Sequence, residues 1–340
     1  MASPPPSCAR LVPRLALDDE ILRNHAFYGF DIGGTKSTVS RLTADGEVVR
    51  IHRIRTTGPR ETLDALMQAV DEDGMPTDVE RCHGIACGGP LDSHRGLVLG
   101  PPNLPGWDRV AVTTIVEQRL RGRATLMNDA NANALAEWHF GPSPRRGSLV
   151  YLTAGTGFGA GLILDGRLVE GANGGAGEIG HIRLATRGPV GYHKAGSVEG
   201  FCSGGGIARL APFVPKRVRP ADPAAWMQAH PTAESIARSA RAGDATAQAV
   251  FTEAGHRLGQ TIAILVDLLE PDRIVLGNLW LHCRDLLEPS MRRTLEREAL
   301  PGALASCTIS GSSLGESLGD HGAICAGLHR LLGRETPVTP

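Results

Sequence analysis

Apolar and polar positions along this chain follow two periods in turn. From residue 27 an apolar run, FYGFDI, stops at Gly33-Gly34, and TVSRL (38–42) and EVVRI (47–51) follow, divided by Asp45-Gly46. Runs rich in β-branched and aromatic residues and bounded by glycine predict strands, and an Asp-Gly between two of them predicts a hairpin. Residues 149–171 repeat this order about 120 positions later: an apolar run, a glycine-rich turn, a second run, Asp165-Gly166 and a third short run. Between and after these meanders the spacing turns helical. Leu63, Leu66, Met67 and Val70 fall at i, i+3, i+4 and i+7, and Val112, Ile115, Val116 and Leu120 nearly so. Residues 244–270 make the longest predicted helix, stopped by Pro271, with a buried strand at 273–277; a short strand covers 124–127 and a last helix about 321–332. Strands alternating with helices predict an α/β fold. A repeated strand–glycine turn–strand unit predicts two related domains, each presenting its turn to a shared cleft.

Composition narrows this picture. A chain of 340 residues exceeds what one compact core usually holds. Basic and acidic residues balance to a net charge of −1, which gives no support for a nucleic-acid partner. No apolar run approaches the ~18 residues of a membrane span. Glycine is over-represented, with 43 residues gathered in clusters, which suits a chain that brings backbone close to a ligand. The seven cysteines form no CxxC pair and read as idle thiols in a reducing compartment, so a cytoplasmic location is expected. Prolines at 4, 5, 6 and 13 break any signal-peptide core, and residues 1–26 read as a loosely docked leader.

Several turns are placed to carry chemistry. DIGGTK (31–36) directly follows a strand and matches neither a P-loop nor a dinucleotide fingerprint. It offers backbone N–H groups, the Thr35 hydroxyl and the Asp31 carboxylate, a set that suits a phosphate with Mg²⁺ or, equally, an ordinary hairpin. GTGFGAG (155–161) is its counterpart in the second meander, and the two together suit a polyphosphate held from both sides. Between them Asn128-Asp129 opens a small-residue helix, where Asp129 is either the helix cap or a general base for a substrate hydroxyl. Glu178, His181 and Glu199 stand in glycine-rich surroundings that make poor cores and good polyol sites. GGP (88–90) and PNLPGW (102–107) are further tight turns.

In this order the pieces resemble the ROK (repressor, open reading frame, kinase) family of sugar kinases, of the hexokinase/actin-like ATPase fold. FDIGGTK is similar to its first phosphate loop and AGTGFGAG to its second; NDANANALAE resembles its catalytic segment, and GAGEIGH with GSVEG its sugar-binding segment. The resemblance spans about residues 27–330. It implies a two-domain α/β chain with a central cleft: an N-terminal domain over 27–138, completed by a helix at about 316–332, and a larger C-terminal domain over 139–315. It implies an ATP- and Mg²⁺-dependent kinase whose domains close over a sugar. Asp129 would be the base; Gly89, Asn103, Asn128, Glu178, His181 and Glu199 would line the sugar pocket. Asp31, Gly33, Gly34, Thr35, Lys36, Gly155, Thr156 and Gly157 would meet the phosphates and Mg²⁺, and Gly277 the adenosine side. Glucose, phosphorylated at its 6-hydroxyl, is the expected substrate; N-acetylated or amino hexoses, fructose, allose and cyclitols stay open. A homodimer is compatible with the resemblance. A sugar-sensing repressor of the same family would need a longer DNA-binding segment than the 26 or so residues before FDIGGTK, and it need not keep the base. The chain departs from the family in two places, the lesser at Gly277-Asn278, where members usually run on with more glycine on the adenosine side. Val190, Tyr192 and Ser197 occupy the cysteine positions of the motif CxCGxxGCxE, so no structural zinc is expected.

Overall fold

The computed structural model describes residues 19–335 except 75, 77, 143–146 and 231; most of the proline-rich leader lies outside them. Residues 19–24 of the region read as leader are in fact helical (α1, Asp19–Asn24), and the chain runs from them straight into the first strand.

Two five-stranded sheets organise the molecule, and they share one topology. The first holds β1 (His25–Ile32), β2 (Lys36–Leu42), β3 (Val48–Arg55), β4 (Glu80–Cys87) and β8 (Arg123–Asn128) in the order β3-β2-β1-β4-β8. The second holds β9 (Leu149–Ala154), β10 (Phe158–Leu164), β11 (Arg167–Leu168), β14 (Arg273–Leu276) and β15 (Thr308–Gly311) in the order β11-β10-β9-β14-β15. In each, the first three strands form an antiparallel meander and the last two add in parallel. The repeat legible in the meanders therefore extends through all five strands.

Helices α2 (Pro59–Asp73) and α3 (Val112–Leu120) fill the crossovers of the first sheet, with a small sheet of β5 (Leu91–Asp92), β6 (Leu97–Leu99) and β7 (Asp108–Ala111) inserted before α3. In the second half the segment between β11 and β14 is much longer. It carries the hairpin β12 (Val190–Gly191) and β13 (Lys194–Ala195), then α5 (Val198–Cys202), α6 (Gly204–Ala208), α7 (Pro223–Ala229), α8 (Ala233–Arg241) and α9 (Ala245–Leu269). Asp244 caps α9 by accepting the Ala247 N–H at 2.7 Å. Helices α10 (Leu279–Glu298) and α11 (Pro301–Ser306) then lead to β15.

Strand alternation sorts the core into three layers. Tyr28, Phe30 and Ile32 face α2 and α3, whereas Phe27 points to the opposite face. In β9, Leu149 and Tyr151 look toward that same inner layer, and Val150 and Leu152 toward α9 and α10. The inner layer is filled by α4 (Asp129–Phe140) and α12 (Leu318–Glu335), which cross one another and trade places. Helix α4 leaves the first sheet and packs on β9 and β10 of the second; α12 leaves the second and packs on β1 and β4 of the first. Glycines permit both contacts. A Cβ on Gly84 would stand 2.6 Å from the nitrogen of Gly327 in α12, and one on Gly161 would stand 2.7 Å from the Ala134 Cβ in α4.

Asp320 fastens α12. The buried carboxylate accepts from Thr38 Oγ1 (2.6 Å) and Ser40 Oγ (2.8 Å) on β2 and from the Arg50 guanidinium on β3. Among the described residues all six cysteines are free thiols, and no helix is long and apolar enough to cross a membrane.

Candidate active site

Strands β1, β4 and β8 run in parallel and end together, Ile32 beside Cys87 and Cys87 beside Asn128. Their following turns, 33–35, 88–90 and the start of α4, therefore share one edge of the sheet, where open α/β sheets bind ligands. The first turn is built tightly. Gly33 N–H donates to the Lys36 carbonyl at 3.1 Å, Thr56 N–H to the Thr35 carbonyl at 3.0 Å, and the Thr56 hydroxyl to the Gly33 carbonyl at 2.6 Å. Gly34, Thr35 and Lys36 are left exposed. Thr56 has no marker in the sequence, because its role depends on β2–β3 pairing.

Asp31 and Asp129 share this edge. Burial pushes the Asp31 carboxyl up to about 7, with repulsion from Asp320 and Asp129 adding to it and Lys36 and Arg50 opposing. Asp129 is raised as well, chiefly by burial, while the backbone N–H groups it accepts pull the other way. The cap of α4 is Asn128, whose Oδ1 accepts the Ala130 N–H at 2.9 Å. Asp129 is the first helical residue; its Oδ1 also accepts that N–H, at 2.8 Å, and its Oδ2 lies toward Gly88. The cap reading of Asp129 thus passes to its neighbour. Asn128 keeps its Nδ2 free of that bond, turned toward Gly89. Asn103, expected in the sugar pocket, packs directly on Gly34: a Cβ there would meet the Asn103 Cβ at 2.7 Å.

From the second half come two further groups. The turn 155–157 is closed by Gly155 N–H donating to the Gly157 carbonyl at 3.0 Å, with Thr156 exposed. Gly277 follows β14 and is buried, its open side filled by the Tyr151 hydroxyl, so packing alone already requires the glycine. Its neighbour Asn278 reaches the 155–157 turn and donates to Thr153 Oγ1 at 2.9 Å. Glu178 precedes a one-turn 3-10 helix that His181 ends, and both are exposed. The Glu178 carboxyl is raised by partial burial and by the negative charges of Asp129 and Glu199, and eased by His181, which ties these four side chains to one region. Glu199 on α5 accepts the Phe158 N–H at 3.2 Å.

The loop that departs from the family motif is held by its own bonds. Ser197, at a cysteine position, is fully buried and caps α5 by accepting the Gly200 N–H at 3.1 Å. Lys194 Nζ donates to the His181 carbonyl at 2.7 Å, and Arg209 to the Val190 carbonyl at 2.9 Å. Tyr192 and His193 both take positive φ at the hairpin tip, and the Tyr192 ring stands edge-on to His181 with centroids 6.1 Å apart. Among the described residues the metal-binding side chains that gather within 4.8 Å are His25, Glu80 and Cys82. They lie at the start of β1 and β4, the end opposite the site, where Glu80 pairs with both His25 and Arg123.

Two matched sheets, with paired glycine turns and a carboxylate beside them, define an actin-like ATPase fold. The ROK family profile matches residues 27–327, and the chain belongs to the ROK family. A glucokinase of Halalkalibacterium halodurans is 29% identical over 306 residues, 86% of this chain and 92% of its own. The crystal structure of a ROK family glucokinase from Streptomyces griseus in complex with glucose and AMPPNP superposes with a TM-score of 0.70 at 28% identity, covering 89% of this chain and 98% of that one. A ROK family transcriptional regulator, a homolog of the E. coli MLC protein, superposes at 0.73 with 25% identity, covering 90% of this chain and 78% of that one.

Proposed function

We propose that the protein transfers the γ-phosphoryl group of ATP to a sugar hydroxyl, the 6-hydroxyl of glucose being the leading candidate. The observation that carries this reading is Asp129, a half-buried carboxylate of raised pKa whose helix is already capped by Asn128. It is thus available to accept a proton. The sugar oxygen attacks the γ-phosphorus and loses its proton to Asp129. The new P–O bond forms as the bond from the γ-phosphorus to the β–γ bridging oxygen breaks, and ADP leaves with that electron pair. Glu178, His181, Glu199, Asn103 and the Asn128 amide would hold the sugar hydroxyls, and the backbone of 33–36 and 155–157 the phosphates.

Asp31 suits a Mg²⁺ ion, directly or through water, because burial and two neighbouring acids disfavour its bare charge and a cation relieves that cost. When bound, the ion would neutralise phosphate charge. The domain division at about residue 138, a cytoplasmic setting and a loop that works without zinc belong to the same reading. The repressor alternative is disfavoured by the retained base.

A panel of glucose, N-acetylmannosamine, N-acetylglucosamine, fructose and allose, followed by coupled ADP release, tests it. Sugar-dependent turnover is expected with at least one hexose and strongest with glucose. Sugar binding without ADP release from any of them favours the sensor.

A further inference from the structure

Glu199 reads as a sugar ligand, yet its carboxylate already has a partner across the site. Oε2 accepts the main-chain N–H of Phe158 at 3.2 Å, and Phe158 opens β10 directly after the 155–157 turn. Gly157 leaves no more space than this contact uses, since a Cβ there would stand 3.0 Å from the same oxygen. A second bond ties the same two segments five residues later: Gly204 N–H donates to the Gly155 carbonyl at 2.9 Å. Between these anchors the chain is stiff. Ser203 N–H returns to the Glu199 carbonyl at 3.1 Å, and the Ser203 hydroxyl caps α6 at the Gly206 N–H, 3.0 Å away. The turn is therefore clasped at both ends by residues 199–204.

We propose that Glu199 is a positioning residue for the nucleotide as well as a ligand of the sugar, so that the two substrates bind cooperatively through one carboxylate. With Oε2 on Phe158, Oε1 is left for a sugar hydroxyl. A sugar there fixes the carboxylate, and the carboxylate fixes the backbone on which the phosphates rest. Linkage makes the effect reciprocal: sugar tightens nucleotide by the factor by which nucleotide tightens sugar. This inference rests on the reading that Glu199 meets sugar and the 155–157 turn meets phosphate.

Calorimetric titration of magnesium-AMPPNP into wild type, Glu199→Gln and Glu199→Ala, each with and without glucose, separates the roles. Without sugar, Glu199→Ala should bind AMPPNP roughly fivefold more weakly, the loss of one hydrogen bond. Glu199→Gln should stay within about twofold, because its side-chain carbonyl accepts the same N–H. Glucose should tighten AMPPNP at least ~5-fold in wild type and leave Glu199→Ala unchanged. Wild-type nucleotide affinity retained in Glu199→Ala, or equal weakening in both variants, overturns the proposal. A wild type that binds AMPPNP under neither condition sinks the kinase reading and this one with it. Should Glu199→Ala not fold, amide exchange of residues 155–160 in wild type decides: glucose should slow it, and no change overturns the proposal.

Discussion

The two sheets have the same strand order and place a glycine turn at the same position, yet they contribute different chemistry. The first sheet's edge is acidic: Asp31 and Asp129 lie along it, with Asp320 behind. The turn of the second, 155–157, has no acid and offers backbone groups, and its nearest carboxylate, Glu199, comes from the long segment inserted after β11. A scaffold can thus be used twice without its site being duplicated. The fold supplies two cradles, and a few acids decide which of them holds the reacting hydroxyl.

The largest expected effect falls on the acidic side. Asp129→Asn should lower kcat at least ~10²-fold, the scale of a positioned general base, with folding intact because Asn128 caps the helix. Thr156→Ala on the second turn should cost less than about tenfold, since backbone does the binding there. Steady-state kinetics of both variants checks the contrast, and comparable losses would dissolve it.

Next in size is a stability effect that treats the halves alike. Gly84→Ala and Gly161→Ala each force a methyl group against a crossing helix and should each cost about 3 kcal/mol, read by urea unfolding. They should then part in activity. Gly161→Ala presses on the turn of α4 that begins at Asp129 and should also lower kcat, whereas Gly84→Ala presses on Ala323 and Gly327 of α12.

The smallest effect concerns charge. Asp31 titrates near 7 in the fold against an ordinary value near 3.8, so the native state binds more protons between these values. Its burial therefore costs nothing below about pH 4, costs progressively more as pH rises toward 7, and costs a constant amount above. Asp31→Asn should raise Tm by a few degrees at pH 8 and leave it nearly unchanged at pH 4, while weakening magnesium-nucleotide binding. Calorimetric melts at the two pH values check the sign.

Much of this was legible in the sequence, because strand alternation, Asp-Gly turns and glycine clusters are local signals. The meanders, α9 with its Asp244 cap and its stop before Pro271, and the start of α4 all follow from neighbours within a few residues. The residues that escaped notice act at long range. Asp320 is the acid in the first turn of α12, and nothing nearby announces that Thr38, Ser40 and Arg50 will converge on it. Glu199's bond to Phe158 joins segments 41 residues apart. The choice of cap between Asn128 and Asp129 turned on one backbone conformation, extended at Asn128 (φ −61°, ψ 140°), which composition does not encode.

The exchange of α4 and α12 also sets an order of events as the chain is made. The first sheet is complete once residue 128 has been synthesised, but the face carrying Gly29 and Gly84 is covered only by residues 318–335. The half of the protein that leaves the ribosome first is therefore the last to be finished. Until then the apolar face that carries Phe27, Cys82, Ala86 and Met127 lacks the helix that covers it.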